Sequence, residues 1–537
     1  MKLKRNFDTL SVMLDMSRNA VMNIKSLKEY VDIISKLGYN ALFLYTEDTY
    51  EVEGEPYFGY MRGRYSANEL RDIDSYASKR GVEIIPCIQT LAHLETISRW
   101  EKFPMDTPDI LLVDDERTYE LIDKMFSSLE KCLCSRRIHV GLDEAHSLGR
   151  GKHLDSYGYE RASDIMRRHL NRVLEIAKKH GYEIMVWSDM FFRFWNGGKF
   201  IIPKTTVPEE YKDIIPEEVT PVHWDYDITT EKRLEDMMEN LAQMSDKGWY
   251  AGSIQTCSGF IPHVKYSVES MTNAINVLKR MNVRNLMVTL WGDNGGECSR
   301  YSTIHGLYYI AQYAKGITDY EKIKTGFERT FGIPYDSYML IDSPNDIAPS
   351  VKRSGLPCNP SKYMLFCDPF LGYLDYTVAD GSYVFYSEKE KLLADVAQST
   401  RKYGYLFNTA SKLCAVLKHK YSLGKRTREA YAAGDREALR QLAEYDYPEA
   451  IRALKSFAIA FEKQWMKENK PHGFEVQDIR LGGLQHRLDT CRKRLLAYLD
   501  GKLDTIPELE EEILPFHEEG HSAYYHRYHK ISTANVL

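Results

Sequence analysis

Over roughly the first 315 residues, short apolar and β-branched runs alternate with stretches whose apolar residues recur at helical spacing. The runs cover 10–15, 41–45, 83–89, 138–144, 183–189, 219–227, 250–257 and 286–293. Helical patterns lie between most of them, at 26–37, 67–79, 118–132, 163–179, 232–245 and 268–281. Gly81 and Gly181 stand where a helix C-cap belongs. Strand and helix in alternation predict a parallel sheet, and eight strands are the number that closes a (β/α)8 TIM barrel. The connection after the fifth run passes through Asn196-Gly197-Gly198 and proline-rich sequence, with no clear helix.

From about residue 320 the alternation stops. Long, charged, periodic stretches at 388–419, 427–433, 436–444 and 450–467 predict a mainly α-helical C-terminal domain, joined through an irregular, proline-bearing segment at 333–380. The expected division is a catalytic barrel at 1–316 and a helical domain at 317–537.

Composition narrows the partners. Apolar residues make up 43%, and 71 Lys+Arg stand against 77 Asp+Glu, a net charge of −6. No basic face or block stands out, so nucleic acid is not expected. No run approaches the ~18 apolar residues of a membrane span. The basic start, Met1 to Asp8, has no apolar run and cleavage site behind it, so a secretory signal is not expected. Nine cysteines, an odd number without a CxxC pair, predict reduced thiols and a cytoplasmic location.

In such a barrel, functional groups project from the C-terminal ends of the strands. Here those ends carry Asp15 and Arg18; Glu47 and Asp48; Gln89 and His93; Asp143 and Glu144; Trp187 and Asp189; Trp224, Asp225, Tyr226 and Asp227; and Trp291 and Asp293. Carboxylates bond sugar hydroxyls and aromatic faces stack on pyranose C–H groups, so a carbohydrate site is expected. The sharpest feature is Arg137-Ile-His-Val-Gly-Leu-Asp-Glu-Ala145. Successive strand residues face opposite ways, so Asp143 and Glu144 both border one cavity only where the pleat breaks at a strand end. An adjacent acid pair there suits a division of labour, with Glu144, partly desolvated, as the acid and Asp143 ionised beside developing positive charge.

His139-Val-Gly-Leu-Asp143-Glu144 resembles the signature of glycoside hydrolase family 20, the β-N-acetylhexosaminidases. Leu14-Asp-Met-Ser-Arg18 is similar to the first-strand motif whose arginine holds the C3 and C4 hydroxyls, and 86–93 to the segment that delivers a pocket histidine, His93. Trp291-Gly-Asp293 resembles the eighth-strand pair of pocket wall and hydroxyl ligand. Trp187 and Trp224 fall where the family's other pocket tryptophans come, and Tyr226 where a tyrosine bonds the acetamido oxygen. The subgroup implied begins directly with the barrel and carries a helical C-terminal domain, which the segment at 473–483 also resembles. Two departures stand out: residues 252–256 lack an aromatic residue, and Gln89 replaces an expected acid.

The resemblance implies an exo-acting β-N-acetylhexosaminidase that releases terminal GlcNAc, with GalNAc as a second sugar, from small oligosaccharides. It implies a homodimer and neither metal nor cofactor. The family's mechanism is retaining and substrate-assisted, with the 2-acetamido oxygen attacking C1 to form an oxazolinium. Asp189, Asp225, Asp227 and Asp293 are the alternatives for a conventional nucleophile. Two other readings compete. One is a non-catalytic sugar-binding barrel. The other is a zinc peptidase built on His517-Glu-Glu-Gly-His521, which fits H-E-x-x-H, with His526 or His529 as a further ligand; Pro515 and Gly520 make a poor helix for it.

Overall fold

A computed structural model describes residues 6–257, 259–347, 359–514 and 527–537. Eight strands, β1 (Thr9–Asp15), β2 (Ala41–Tyr45), β3 (Glu83–Cys87), β4 (Arg137–His139), β5 (Glu183–Trp187), β6 (Thr220–Trp224), β7 (Trp249–Ser253) and β8 (Asn285–Leu290), form one closed parallel barrel. The barrel closes through β8 and β1, which pair from Thr9↔Asn285 to Leu14↔Leu290. The strands are apolar on both faces because helices cover the outside and side chains fill the inside. Met13, Phe43, Ile85, Met185, Val222, Ala251 and Met287 are interior residues, with Tyr45, Cys87 and Trp187 among those near the strand ends.

The helices begin and end where local chemistry dictates. Asn23 accepts the Ser26 N–H at the start of Ile24–Leu37, and Ser66 and Glu69 form a reciprocal capping box on Ala67–Ser78. The connection after β5 holds only a five-residue helix, Asp189–Arg193, and a 3-10 turn, Glu209–Tyr211. That accords with the lack of a helical pattern there.

Two strands and an added hairpin stand out against expectation. β4 ends at His139 because Gly141 and Leu142 adopt left-handed backbone, at φ 78° and 75°. Its pairing with β3 is a single register position, Cys87↔His139, extended by Ile88 N–H to His139 O (2.8 Å) and Thr90 N–H to Val140 O (3.1 Å). β7 begins one residue earlier than expected, at Trp249, so this strand does carry an indole. It sits at the start of the strand, 6.2 Å from Phe43 and under the Arg137 guanidinium, away from the barrel mouth. A short hairpin, Met105–Thr107 with Ile110–Leu111, lies in the connection after β3. Its Asp106 carboxylate accepts the N–H groups of Gly149 (3.0 Å) and His153 (2.8 Å), tying that connection to the one after β4.

The chain forms two compact units that interleave in sequence. One comprises Met1–Gln255, Ser267–Trp291 and Gly306–Asp319; the other Thr256–Tyr266, Gly292–His305 and Tyr320–Leu537. The second is mainly helical, with Ser382–Ser399, Gly404–Lys420, Leu423–Ala432, Tyr447–Glu468 and Phe474–Leu499 as its longer late helices. The periodic stretch at 388–419 spans two helices, packed so closely that a Cβ on Gly404 would stand 2.4 Å from Ala397 O. Within this unit, buried Glu297 joins buried Lys362 to Arg480 of the last long helix. No helix among the described residues is long and apolar enough to cross a membrane, and none of the eight described cysteines is in a disulfide.

Candidate active site

The acid pair lies where β4 loses its pleat. Gly141, Leu142 and Glu144 all have positive φ, at 78°, 75° and 50°. This sequence of left-handed residues breaks the alternation of a strand and lets consecutive side chains converge. His93 Nε2 is 3.1 Å from Asp143 Oδ2 and 3.7 Å from Glu144 Oε2, so both carboxyl groups approach the same nitrogen. Glu47 (φ 45°) and His93 (φ 58°) also have left-handed backbone just past β2 and β3. Strain of this sort, about 1–3 kcal/mol per residue, persists where the surroundings over-determine it.

Asp143 is the more enclosed of the two. Its side chain is 10% exposed, against 44% for Glu144, which is more open to solvent than the expected desolvated acid. Gln89 Nε2 donates to Asp143 Oδ1 (2.7 Å) and to the Tyr45 hydroxyl (2.9 Å), while Gln89 Oε1 accepts the Leu142 N–H (3.3 Å). An ionised acid at position 89 has no proton to donate to Asp143, which accounts for glutamine there. Burial opposes the Asp143 charge, but His93 and Gln89 outweigh it and hold its pKa below the usual carboxylate range. Burial likewise works to lower the His93 pKa, but the Asp143 carboxylate reverses the effect and raises it to about 10.

From this pair a chain of contacts runs round the barrel mouth. Tyr45 donates to Glu47 Oε1 (3.0 Å), which also accepts from Arg18 Nη2 (3.0 Å). Burial pushes the Glu47 carboxyl up against the pull of Arg18. On the other side the Glu144 N–H donates to Asp189 Oδ2 (3.1 Å), and Trp224 Nε1 approaches Asp189 Oδ1 at 3.5 Å. Trp224 stacks on Tyr226 (5.3 Å between centroids), Trp291 Nε1 donates to the Tyr226 hydroxyl (2.8 Å), and Trp291 meets Tyr45 edge-on (4.9 Å). The circuit closes.

Of the residues singled out from the sequence, Arg18, His93, Asp143, Glu144, Trp187, Trp224, Tyr226 and Trp291 are linked by these contacts. Trp187 is completely buried, 6.0 Å from Trp291, and forms floor rather than wall. Asp293 lies beyond the end of the barrel unit, on the stretch Gly292–His305 of the helical unit, half-buried. Tyr57 and Tyr60 form an exposed aromatic cluster with Trp100, and Arg62 bonds Asp48 and Asn19 beside the end of β1. Two members of the circuit, Tyr45 and Glu47, have no role in the sequence analysis, and Asp189 figures there only as an alternative nucleophile. Their signal was position, since each ends a strand or lies within two residues of its end.

His139 is fully buried and held neutral, its pKa lowered by burial to about 3. Its Nδ1 accepts the Gly141 N–H (3.1 Å), which places the proton on Nε2, and its ring packs on Trp187. His517, His521 and His526 lie outside the described residues, and His529 is in the short helix Tyr528–Ser532. Among the described residues no group of three or more His, Cys, Asp or Glu side chains suits a metal ion.

Two measurements test this geometry. A Cβ on Gly141 would stand 1.9 Å from Gln89 Oε1, on a backbone already at φ 78°. Gly141→Ala is therefore expected to lose about 1–3 kcal/mol of stability in urea titration, and an unchanged midpoint contradicts the tight fit. His93 keeps its proton in the folded chain up to about pH 10, whereas an unfolded histidine loses it near ~6.5. The stabilisation is complete below the unfolded pKa and is lost as pH rises through the folded one. The thermal midpoint of the wild type should therefore fall more steeply than that of His93→Gln between about pH 7 and 10; parallel slopes contradict the ion pair.

Comparison with known proteins bears on the family. The profile for the glycosyl hydrolase family 20 catalytic domain matches residues 10–225, and that for the glycoside hydrolase 20C C-terminal domain matches 336–527. Hexosaminidase D of Homo sapiens is 24% identical over 233 residues, covering 41% of this chain and 45% of the relative. Beta-hexosaminidase 3 of Arabidopsis thaliana is 24% identical over 238 residues, covering 40% and 42%. The chain thus spans less than half the length of these two relatives. Among solved structures, a β-N-acetylhexosaminidase of Bacteroides fragilis is similar over 61% of this chain and 71% of its own, at 17% identity and a TM-score of 0.47. The two profiles fall on the barrel and on the helical region in turn, and the chain belongs to glycoside hydrolase family 20.

Proposed function

We propose that the protein is an exo-acting β-N-acetylhexosaminidase that hydrolyses terminal β-linked GlcNAc, and GalNAc as a second sugar, from small oligosaccharides by a retaining, substrate-assisted route. The observation that carries this reading is the shared approach of Asp143 and Glu144 to His93, at 3.1 and 3.7 Å, inside a ring of aromatic side chains. Family membership supports it independently.

In this reading Glu144 protonates the glycosidic oxygen and later deprotonates the attacking water. Its exposure suits a group that meets both the leaving group and water. The 2-acetamido oxygen attacks C1 from within the substrate, so no protein carboxylate bonds to the sugar. Asp143, kept anionic by His93 and Gln89, orients the acetamido N–H and stabilises the positive charge that develops on it. Tyr226 steadies the acetamido oxygen, and its hydroxyl is already oriented by Trp291. Trp187, Trp224 and Trp291 pack round the methyl group and ring, exclude water and hold the acetamido in attack position. Arg18, fixed by Glu47, bonds the hydroxyls at C3 and C4.

No metal or cofactor enters these steps. The reading extends to a homodimer in the cytoplasm; an odd number of cysteines without a CxxC pair is what supports the location.

The test is hydrolysis of aryl β-GlcNAc, β-GalNAc and β-glucoside, with EDTA and with a thiazoline analogue of the cyclic intermediate. Turnover of the two acetamido sugars, undiminished by EDTA and inhibited by the thiazoline, is expected. Glu144→Gln should lower kcat by about 10²–10⁴-fold while retaining sugar affinity. Comparable turnover of the β-glucoside without thiazoline inhibition contradicts substrate assistance. Sugar binding without any turnover favours a lectin-like barrel.

A further inference from the structure

Asp189 has no part in the chemistry assigned above, yet its side chain is 0% exposed at the mouth of a barrel that already holds a buried carboxylate. Burying a second carboxyl beside the first is costly unless it holds something in place. What it holds is specific. Oδ2 accepts the backbone N–H of Glu144 (3.1 Å) and Nε of Arg193 (3.2 Å), one turn further along its own short helix. Oδ1 faces the Trp224 indole N–H at 3.5 Å. The Glu144 backbone needs such an anchor, because a glutamate at φ 50° is held there by its surroundings and not by its own preference.

The second arm leads to the aromatic wall. Arg193 donates to Gly198 O (2.9 Å), and its guanidinium lies 5.5 Å from the Phe200 ring. Phe200 in turn packs against Trp224, with centroids 4.5 Å apart. A single carboxyl therefore touches the backbone of one candidate catalytic residue and the ring nitrogen of one candidate wall residue.

We propose that Asp189 is a positioning residue, which fixes the direction of the Glu144 side chain through its backbone and couples it to the Trp224 wall. This rests on the reading of Glu144 as the general acid. The charged groups round Asp189 are Asp143, Glu144 and Arg193. Burial and the Asp143 charge together push the Asp189 carboxyl up to about 7.

The experiment compares Asp189→Asn with wild type on two aryl β-N-acetylglucosaminides, one with a phenyl and one with a 2,4-dinitrophenyl leaving group. The dinitrophenolate departs without a proton, so misdirecting the acid affects it little, whereas phenol needs the proton. The kcat/KM of Asp189→Asn is expected to fall by about tenfold more for the phenyl than for the dinitrophenyl substrate. A purely structural role lowers both equally, and that result overturns the proposal, as does no loss at all. Arg193→Gln serves if Asp189→Asn does not fold: it removes the cation from Asp189 and should give the same leaving-group dependence in smaller measure, while a uniform loss again overturns the proposal. Wild-type protein that cleaves neither glycoside overturns the glycosidase reading and this inference with it. Wild-type protein that cleaves both, with variants that lose activity uniformly, overturns this inference alone.

Discussion

The pairing of His93 with Asp143 is the interaction on which the site depends. A carboxylate as enclosed as Asp143 would ordinarily take up a proton. Here it is kept charged by an imidazolium at 3.1 Å and by the Gln89 amide at 2.7 Å. If the pair is dissolved, Asp143 loses the cation that keeps it an anion, and the Gln89 amide is held by Tyr45 alone. The Leu142 N–H that rests on Gln89 then loses its hold on the left-handed turn that brings Glu144 alongside. Charge, hydrogen bonding and backbone strain are thus three aspects of one arrangement, and each is satisfied only while the others are.

The barrel supplies the rigidity this requires. Its interior is packed by side chains of seven of the eight strands, so the rim residues stand on a filled core and not on a channel. The weakest seam, between β3 and β4, runs beneath His93 and Asp143. There the barrel gives up strand pairing to gain a turn, and the losses are made good by Gln89, by Thr90 and by the clamp of Asp106 on the following connection. Rigid strands with irregular ends are what a site of converging side chains needs.

Much of this was legible in the sequence, for definite reasons. Parallel strands buried on both faces are unbroken apolar runs, so eight of them announce a barrel. The Asp143-Glu144 pair was legible because two adjacent acids in an otherwise apolar strand have few structural explanations. What periodicity does not carry is backbone handedness. Nothing in the pattern distinguishes Leu142 or Glu144 at positive φ from ordinary residues in a strand, and so β4 read five residues too long at its end. Gln89 looked like a missing acid because its role is relational, a donor placed between Tyr45 and Asp143. The indole of β7 escaped notice because the strand begins one residue before its apolar run was judged to start. Asp189 stood in plain view at the end of β5, but its value lies in a contact with the backbone of Glu144, forty-five positions away in the chain.

The central claim is that Asp143 and Glu144 face one sugar from one cavity, the first towards the amide and the second towards the bond that breaks. A crystal structure of the protein with a bound GlcNAc-thiazoline addresses it most directly. The account predicts the Asp143 carboxylate within hydrogen-bonding distance of the thiazoline nitrogen, the Glu144 carboxyl on the side of C1 from which the leaving group departs, and the ring enclosed by Trp187, Trp224 and Trp291. A thiazoline bound elsewhere, or seated here with Asp143 turned from its nitrogen, would contradict it.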